Sequence, residues 1–172
     1  FIEDDYLHLP DAPSALEEGL NYFDYVTLYD HPDKYKLHHG PINPYAKRNQ
    51  YSESTEVVCG PTQWWRTSNS TTMTFAVTGK TLKADADIWS ITKTAKKDFD
   101  FDNFCVITKQ PMMAKSRYIK QIPRRLQFWS KPKRYLGVSI PGLALHLEQA
   151  YLKRGDEVRF SLPPQTYPSK TK

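Results

Sequence analysis

The sequence contains little cysteine, no long apolar run and no familiar catalytic motif. Two cysteines among 172 residues exclude a disulfide-rich scaffold. No stretch of about 18 apolar residues is present, so no transmembrane helix is predicted. A glycine-rich phosphate loop, a nucleophile elbow and a Cys-x-x-Cys pair are also missing. We therefore predict a non-enzymatic protein without a cofactor.

Large aromatic side chains supply much of the apolar content. The chain has 11 Tyr, 8 Phe and 4 Trp within a hydrophobic fraction of 39%. At this length a single domain with a sizeable core is expected. The 13 prolines outnumber the 7 glycines, which favours stiff, extended connections.

Opposite charges are segregated along the chain. Residues 1–46 hold nine acidic and two basic side chains, whereas residues 47–172 hold ten acidic and 22 basic ones. We predict an acidic N-terminal arm with a short helix over 1–46 and a basic α+β domain over 47–172, together forming one globular domain. The basic part favours a polyanionic partner, for which the acidic arm could compete. The alternative is that the charged blocks only keep the protein in solution.

Local patterns predict an α+β fold. Ser14 and Glu17 have the spacing of a capping box, which predicts a short helix from about Ala15 to Asp24 after an extended arm over 1–13. Strands are predicted at 25–29, 72–78, 81–92 and 104–108, with a long loop over 30–56. A second helix is predicted from Pro141 to about Lys153, and a last strand at 157–162. The predicted class is α+β, an antiparallel β-sheet core with one amphipathic C-terminal helix and a short N-terminal helix.

Residues 109–135 form the strongest candidate binding segment, since they include nine Lys or Arg and no acidic residue. Several lysines and arginines could neutralise phosphates, while rings among them could stack on the bases of single-stranded RNA or DNA. We expect the arginine pair of this segment to face outward. The predicted nucleic-acid-binding residues are Lys115, Arg117, Tyr118, Lys120, Arg124, Arg125, Phe128, Trp129, Lys131, Lys133 and Arg134.

Two other interpretations of residues 109–135 remain open. The segment could be a solvated edge strand whose lysines prevent unwanted pairing, with Phe128 and Trp129 in the core. It could also bind an anionic membrane surface, because lipid headgroups attract the same residues. A homo-oligomer is compatible with each interpretation.

Histidines in the predicted loop suggest a weak metal site. His31, His38 and His39 lie close to Asp30 and Asp33 in sequence, and imidazole and carboxylate groups bind divalent metals. The run HHGPINP, residues 38–44, resembles the core of the HNH nucleases, in which one histidine activates water and another binds metal. The resemblance covers about a dozen residues, and the later His or Asn of that family is missing. On the strength of the shared residues, a metal-dependent nuclease that uses His31, His38 and His39 is kept as an alternative.

Smaller signals give further alternatives. A bridge between Cys59 and Cys105 with a glycan on Asn69 would indicate a secreted binding module, although reduced, buried thiols are expected. The alternation of Asp98, Asp100 and Asp102 would align three carboxylates on one strand face, where they could bind Ca²⁺ or Mg²⁺. Of the neighbouring rings at 64 and 65, one is expected in the core and the other partly exposed.

The leading hypothesis from the sequence is a structural, nucleic-acid-binding protein of the viral coat, matrix or ribonucleoprotein type. It depends on the basic aromatic stretch, the acidic arm and the missing catalytic motifs. This hypothesis favours an intracellular or virion location over secretion.

Overall fold

The computed structural model describes residues 1–35, 53–72, 74–90, 99–110 and 122–147. The structural statements below refer to these residues. Within them, no helix combines the length and the apolar character needed to cross a membrane.

Short strands and short helices alternate along the described chain. The strands are β1 (Tyr6–His8), β2 (Tyr25–Thr27), β3 (Val57–Cys59), β4 (Trp64–Ser68), β5 (Ala76–Val77), β6 (Leu136–Ile140) and β7 (Ala144–His146). The helices are α1 (Ala12–Leu20), α2 (Gly79–Ala84), α3 (Ala86–Ser90), α4 (Phe99–Ile107) and α5 (122–127), with a 3₁₀ turn at Pro32–Lys34. The prediction of an α+β protein is confirmed at this level.

A mixed five-stranded sheet lies at the centre, in the order β3-β4-β6-β2-β5. Strands β2 and β6 are parallel, with Val26 opposite Gly137, and the other neighbours are antiparallel. The sheet is therefore not purely antiparallel as predicted. Strand β2 comes from the predicted arm region 1–46, yet it pairs with β5 and β6, so both parts of the chain build one sheet.

A second sheet holds the beginning of the described chain in place. Strand β1 pairs antiparallel with β7, with Tyr6 opposite His146. The backbone groups of Phe1 and Phe75 exchange two hydrogen bonds of 3.0 Å, and their rings stack with centroids 4.8 Å apart. Residues 1–13 thus pack against the fold. The domain boundary predicted after residue 46 lies outside the described ranges.

Two hydrophobic clusters lie on opposite faces of the central sheet. Val26 belongs to one cluster with Phe23 and Trp65, whereas its neighbour Tyr25 belongs to the other with Phe104. This division is expected, because successive side chains of a strand point to opposite faces. Helix α1 covers the first face, and α3, α4 and the residue after α5 contribute to the second.

Helix α1 begins three residues earlier than predicted. Its N-cap residue is Asp11, and the Ser14 hydroxyl donates to the Asp11 carbonyl oxygen at 2.9 Å, so the predicted capping box is not formed. The buried face consists of Ala12, Ala15 and Gly19. These small residues let the helix pack closely, since a Cβ at position 19 would lie 2.7 Å from Cη2 of Trp65.

Two predicted strands are helices in the structure. The sequence predicts a strand over 81–92, but α2 and α3 occupy 79–90. The Thr78 side chain caps α2 by accepting from the Thr81 amide at 3.2 Å. The sequence also predicts a strand over 104–108, but these residues lie in or directly after α4. An apolar run of this length does not distinguish a buried strand from a buried helix.

The predicted C-terminal helix is not present in its described part. Residues 141–147 of the predicted segment contain β7 instead of the first helical turns. Backbone pairing with β1 explains the difference, because the Leu147 amide also donates to the Asp5 carbonyl oxygen at 2.9 Å. The remainder of this predicted helix and the predicted strand at 157–162 lie outside the described residues.

Candidate nucleic-acid interface

Seven of the 11 predicted nucleic-acid-binding residues are described. Lys115, Arg117, Tyr118 and Lys120 lie outside the described ranges. The other seven belong to α5, to the turn after it and to the segment that enters β6.

Trp129 has an exposed side chain and a backbone carbonyl group that accepts a hydrogen bond. The side chain is 73% exposed, and Nζ of Lys109 donates a 2.8 Å hydrogen bond to the Trp129 carbonyl oxygen. Lys109 follows α4 with φ of 54°, the left-handed conformation that commonly ends a helix. The hydrogen bond fixes the turn after α5 and places an ammonium group beside this turn.

Lys133 and Tyr135 extend the exposed surface. Nζ of Lys133 lies 4.6 Å from the centroid of the Tyr135 ring, and both side chains are exposed. They share a pocket of about 60 Å³ with Gln110 and with the acidic Glu56. A pocket of this volume is too small for a nucleobase, so any base would have to stack on the open surface.

Lys131 lies on the same turn but is partly neutralised. Its Nζ donates to Oδ1 of Asp87 at 2.8 Å and to the Ala84 carbonyl oxygen at 2.5 Å. The hydrogen bond from Lys131 lowers the pKa of Asp87. The pair links the segment after α5 to α2 and α3. It remains accessible to solvent, since the side chains of Lys131 and Asp87 are 28% and 52% exposed. We define the basic aromatic surface as Lys109, Trp129, Lys131, Lys133 and Tyr135.

Arg124 and Arg125 were expected to face outward, but both guanidinium groups donate hydrogen bonds to other parts of the fold. Nη2 of Arg124 donates to the Ile88 carbonyl oxygen at 2.9 Å and to the Asn103 side chain. Nη2 of Arg125 donates to the carbonyl oxygens of Cys105, at 3.1 Å, and Gln110. Burial lowers the pKa of Arg124, an effect that Asp102 opposes. These guanidinium groups connect α5 to α3 and α4.

Arg134 and Phe128 also make their contacts within the fold. The Arg134 guanidinium bonds both oxygens of Asp85, at 3.0 and 3.2 Å, and Oδ1 of Asp24 at 3.2 Å. The Tyr25 hydroxyl donates to the same Asp85 carboxylate at 3.0 Å. Hydrogen bonding to Asp85 raises the pKa of Arg134. Phe128 is buried in the second cluster, so the interpretation of this ring as a core residue is confirmed.

A buried ion network lies next to His31, one of the three histidines suggested for a metal site. Asp30 accepts from Nη2 of Arg66 at 2.9 Å, and Glu53 accepts from Nη1 of Arg66 at 3.2 Å and from Nζ of Lys34 at 2.7 Å. All four charged side chains are at most 9% exposed. The His31 ring packs against Tyr29 at 5.3 Å. His38 and His39 lie outside the described part of the chain.

The sequence did not reveal this network, because its members lie at positions 30, 34, 53 and 66. A single arginine within the aromatic strand Trp64–Ser68 was the available signal. Burial of a charged residue requires a partner. Pairing across distant segments therefore decided the environment of Arg66.

Among the described residues, no group of three or more His, Cys, Asp or Glu side chains could hold a metal. Asp100 and Asp102 lie on helix α4, where residues two apart point to different faces. The predicted alignment of three carboxylates on a strand is therefore wrong for this pair. Asp98 is outside the described ranges.

The secreted-module alternative depends on Cys59, Cys105 and Asn69. Cys59 is exposed on the edge strand β3 and Cys105 is buried in α4, and the two are not joined by a disulfide bond. Asn69 is fully buried, and its Oδ1 accepts from Nζ of Lys34 at 2.7 Å. A glycan on this side chain would not fit the fold. The expectation of a buried thiol is confirmed for Cys105, but Cys59 is exposed.

The paired tryptophans behave as predicted. Trp65 is completely buried in the first cluster, whereas Trp64 is 60% exposed. Trp64 lies opposite Ile140, at the far end of the β4–β6 pair from Ser68 and Leu136. Tyr135 directly precedes Leu136, so Trp64 and Tyr135 lie at opposite ends of this strand pair.

Comparison of the chain with protein-family models, curated proteins and solved structures found no match.

Proposed function

We propose that the chain is a non-enzymatic, structural nucleic-acid-binding protein of the coat, matrix or ribonucleoprotein type. In this proposal the basic aromatic surface contacts single-stranded RNA or DNA. The observation that carries it is Trp129, which is 73% exposed in a turn that carries Lys131 and is bonded by Lys109. Stacking of a base on an aromatic ring contributes about 1–3 kcal/mol.

The lysines and arginines have separate roles in this proposal. Lys109 and Lys133 are exposed and can approach phosphates, whose condensed counterions are then released. Arg124, Arg125 and Arg134 bond internal oxygen atoms and support the turn that presents Trp129. Lysine and ring contacts of this kind bind a single strand with little preference for sequence.

Titration of a fluorescent, unstructured RNA oligonucleotide tests the contribution of the ring. Trp129→Ala is expected to weaken binding by about 1–3 kcal/mol, with a change in unfolding free energy of about 0.5 kcal/mol or less. Trp64→Ala is the matched control, because it removes another exposed indole at the far end of the sheet. Equal binding by the parent and Trp129→Ala would contradict the stacking role.

The salt dependence of RNA binding tests the lysines. Lys133→Gln is expected to reduce the slope of log K against log salt by about one unit for each phosphate that the lysine neutralises in the parent. Lys80→Gln, an exposed position on α2, is the control with the same change of charge. If both variants keep the parental slope, Lys133 does not bind phosphate.

An anionic membrane surface is a second candidate, and one observation favours it. Ile122, Leu126 and Trp129 are 39%, 64% and 73% exposed. Their spacing of four and three residues places them on one side of α5 and the turn that follows it. An exposed apolar stripe beside basic residues is typical of helices that lie in the membrane interface.

Leu126→Ser separates the two candidates. Binding to vesicles that contain phosphatidylserine should decrease if the stripe inserts among lipids, because the leucine would lose its apolar environment. RNA binding should remain unchanged, because a base stacks on the tryptophan ring. Vesicles of phosphatidylcholine alone are the control for charge. Loss of RNA binding in a folded Leu126→Ser protein would contradict this assignment of roles.

A further inference from the structure

An apolar groove borders the first hydrophobic cluster, next to β5. It has a volume of about 710 Å³, within the range of pockets for small ligands. Its walls come from the segment around β1, from α1, from residues 74–77 and from α2. The lining includes Leu9, Leu16, Leu28, Phe75, Val77 and Leu82.

His8 is the unusual member of this lining. Its Nε2 atom is buried and has no hydrogen-bond partner among the described residues. A buried polar atom without a partner is costly and calls for an explanation. Burial also lowers the pKa of His8, which favours the neutral imidazole. The groove therefore combines a large apolar surface with one unsatisfied hydrogen-bonding atom.

We propose that this groove binds a small, uncharged apolar molecule that carries one hydroxyl group, with the hydroxyl bonded to His8. Apart from His8, no side chain in the described lining is ionisable, and the Phe1 nitrogen already donates to the Phe75 carbonyl oxygen at 3.0 Å. A buried carboxylate or ammonium on the ligand would therefore remain unpaired and costly. A single hydroxyl matches the one unsatisfied polar atom, since the Thr74 hydroxyl oxygen already accepts from the Glu3 amide at 3.2 Å.

The hydroxyl reaches His8 through a small motion of the imidazole. Nε2 is shielded from solvent, so the ring has to turn about its Cβ–Cγ bond to meet a ligand. This torsion is broad for histidine and has a low energetic cost. The backbone is fixed independently of the ring, since the Leu9 amide donates to the Leu143 carbonyl oxygen at 2.9 Å.

Binding of the uncharged fluorescent probe N-phenyl-1-naphthylamine to the full chain tests the groove. We expect saturable binding with one probe per chain. Ala76→Phe adds a ring to the lining and is expected to weaken probe binding at least tenfold. Leu82→Trp is a second filling variant from α2, for use if the first does not fold. Absence of probe binding by the parent, or undiminished binding by a folded filling variant, would overturn the proposal.

Displacement of the probe by p-cresol and p-xylene tests the hydrogen bond. The two molecules differ only by a hydroxyl in place of a methyl group. His8→Phe is expected to lower the ratio of p-cresol to p-xylene affinity about five- to tenfold, the value of one neutral hydrogen bond. Leu7→Phe controls for a ring added to β1, because adjacent strand residues point to opposite sides.

Two further outcomes would reject the proposal. An unchanged affinity ratio in folded His8→Phe would remove His8 from the site. A dimer of the parent that Ala76→Phe dissociates, measured by sedimentation, would assign the groove to a second copy of the chain.

Discussion

At the scale of single residues, close packing around glycine determines where the elements meet. A Cβ on Gly137 in β6 would lie 2.3 Å from Cδ2 of Phe23, whereas a Cβ on Gly79 would have no neighbour within 4 Å. The aromatic ring therefore occupies the space that any other residue at position 137 would need. A glycine inside a strand often marks such an approach.

Gly137→Ala is expected to reduce the unfolding free energy by about 1–3 kcal/mol, because the added methyl group overpacks the core. Urea denaturation measures the change. Gly79→Ala, the matched control at the first residue of α2, should be neutral or more stable by up to about 1 kcal/mol. Equal stabilities of the two variants would show that Phe23 moves away without cost.

At the scale of elements, ion pairs with different burial connect the helices to the sheet. The Asp85 side chain is 1% exposed and bonds Arg134 and Tyr25, whereas the paired side chains of Asp87 and Lys131 are 52% and 28% exposed. Asp85→Ala is expected to cost about 3–5 kcal/mol, because it leaves a partly buried guanidinium without its main partner. Lys131→Ala should cost about 1 kcal/mol or less. Thermal or urea unfolding of both variants compares the pairs, and a small loss for Asp85→Ala would contradict this ranking.

Glu18 connects α1 to the β3–β4 hairpin and makes this connection dependent on pH. Its carboxylate accepts from the Thr62 hydroxyl, from Nε1 of Trp65 at 3.2 Å and from the Gln63 amide at 3.3 Å. The bond from Thr62 is the main reason why the pKa of Glu18 is lowered. A lowered folded-state pKa means that this stabilisation exists above the ordinary value of 4.5 and disappears as pH falls through the folded-state pKa.

Glu18→Gln should therefore flatten the acid limb of the stability curve. The difference in melting temperature between parent and variant is expected to shrink as the pH falls from neutrality to below 4.5, the ordinary pKa of Glu18. Glu17→Gln removes an exposed charge from the same helix and is the control. A constant difference at every pH would exclude the carboxylate as the source of the effect.

At the scale of the whole molecule, the central sheet should be the most stable unit. Strand β6 is paired on both sides, by β4 and β2, and all three residues of β2 are buried. Within the described part of the chain, the β1–β7 sheet has two strands. Amide hydrogen exchange in β6 is therefore expected to require global unfolding, whereas β7 should exchange by local opening. Equal protection of β6 and β7 would instead indicate a single cooperative unit.

Several features followed from local sequence. The residues of β2 are β-branched or aromatic, and their strand prediction was correct. The short N-terminal helix was also predicted, although its start was displaced by three residues. Local patterns failed over 79–90 and 99–107, because alternating apolar residues and a short apolar run also occur on helices packed against a sheet. The pairing of β7 with β1 likewise involves residues far apart in sequence.

The basic aromatic stretch shows the same division between local and tertiary information. The sequence by itself determined that residues 109–135 are rich in positive charge and rings, and that one of the tryptophans at 64 and 65 belongs in the core. Only the tertiary structure decided which charges remain exposed. Arg124, Arg125 and Arg134 bond oxygens of distant segments, while the turn after α5 leaves Trp129 in solvent. The physical reason is that a charge buried by folding must find a partner, and the partner is supplied by chain topology rather than by neighbouring residues.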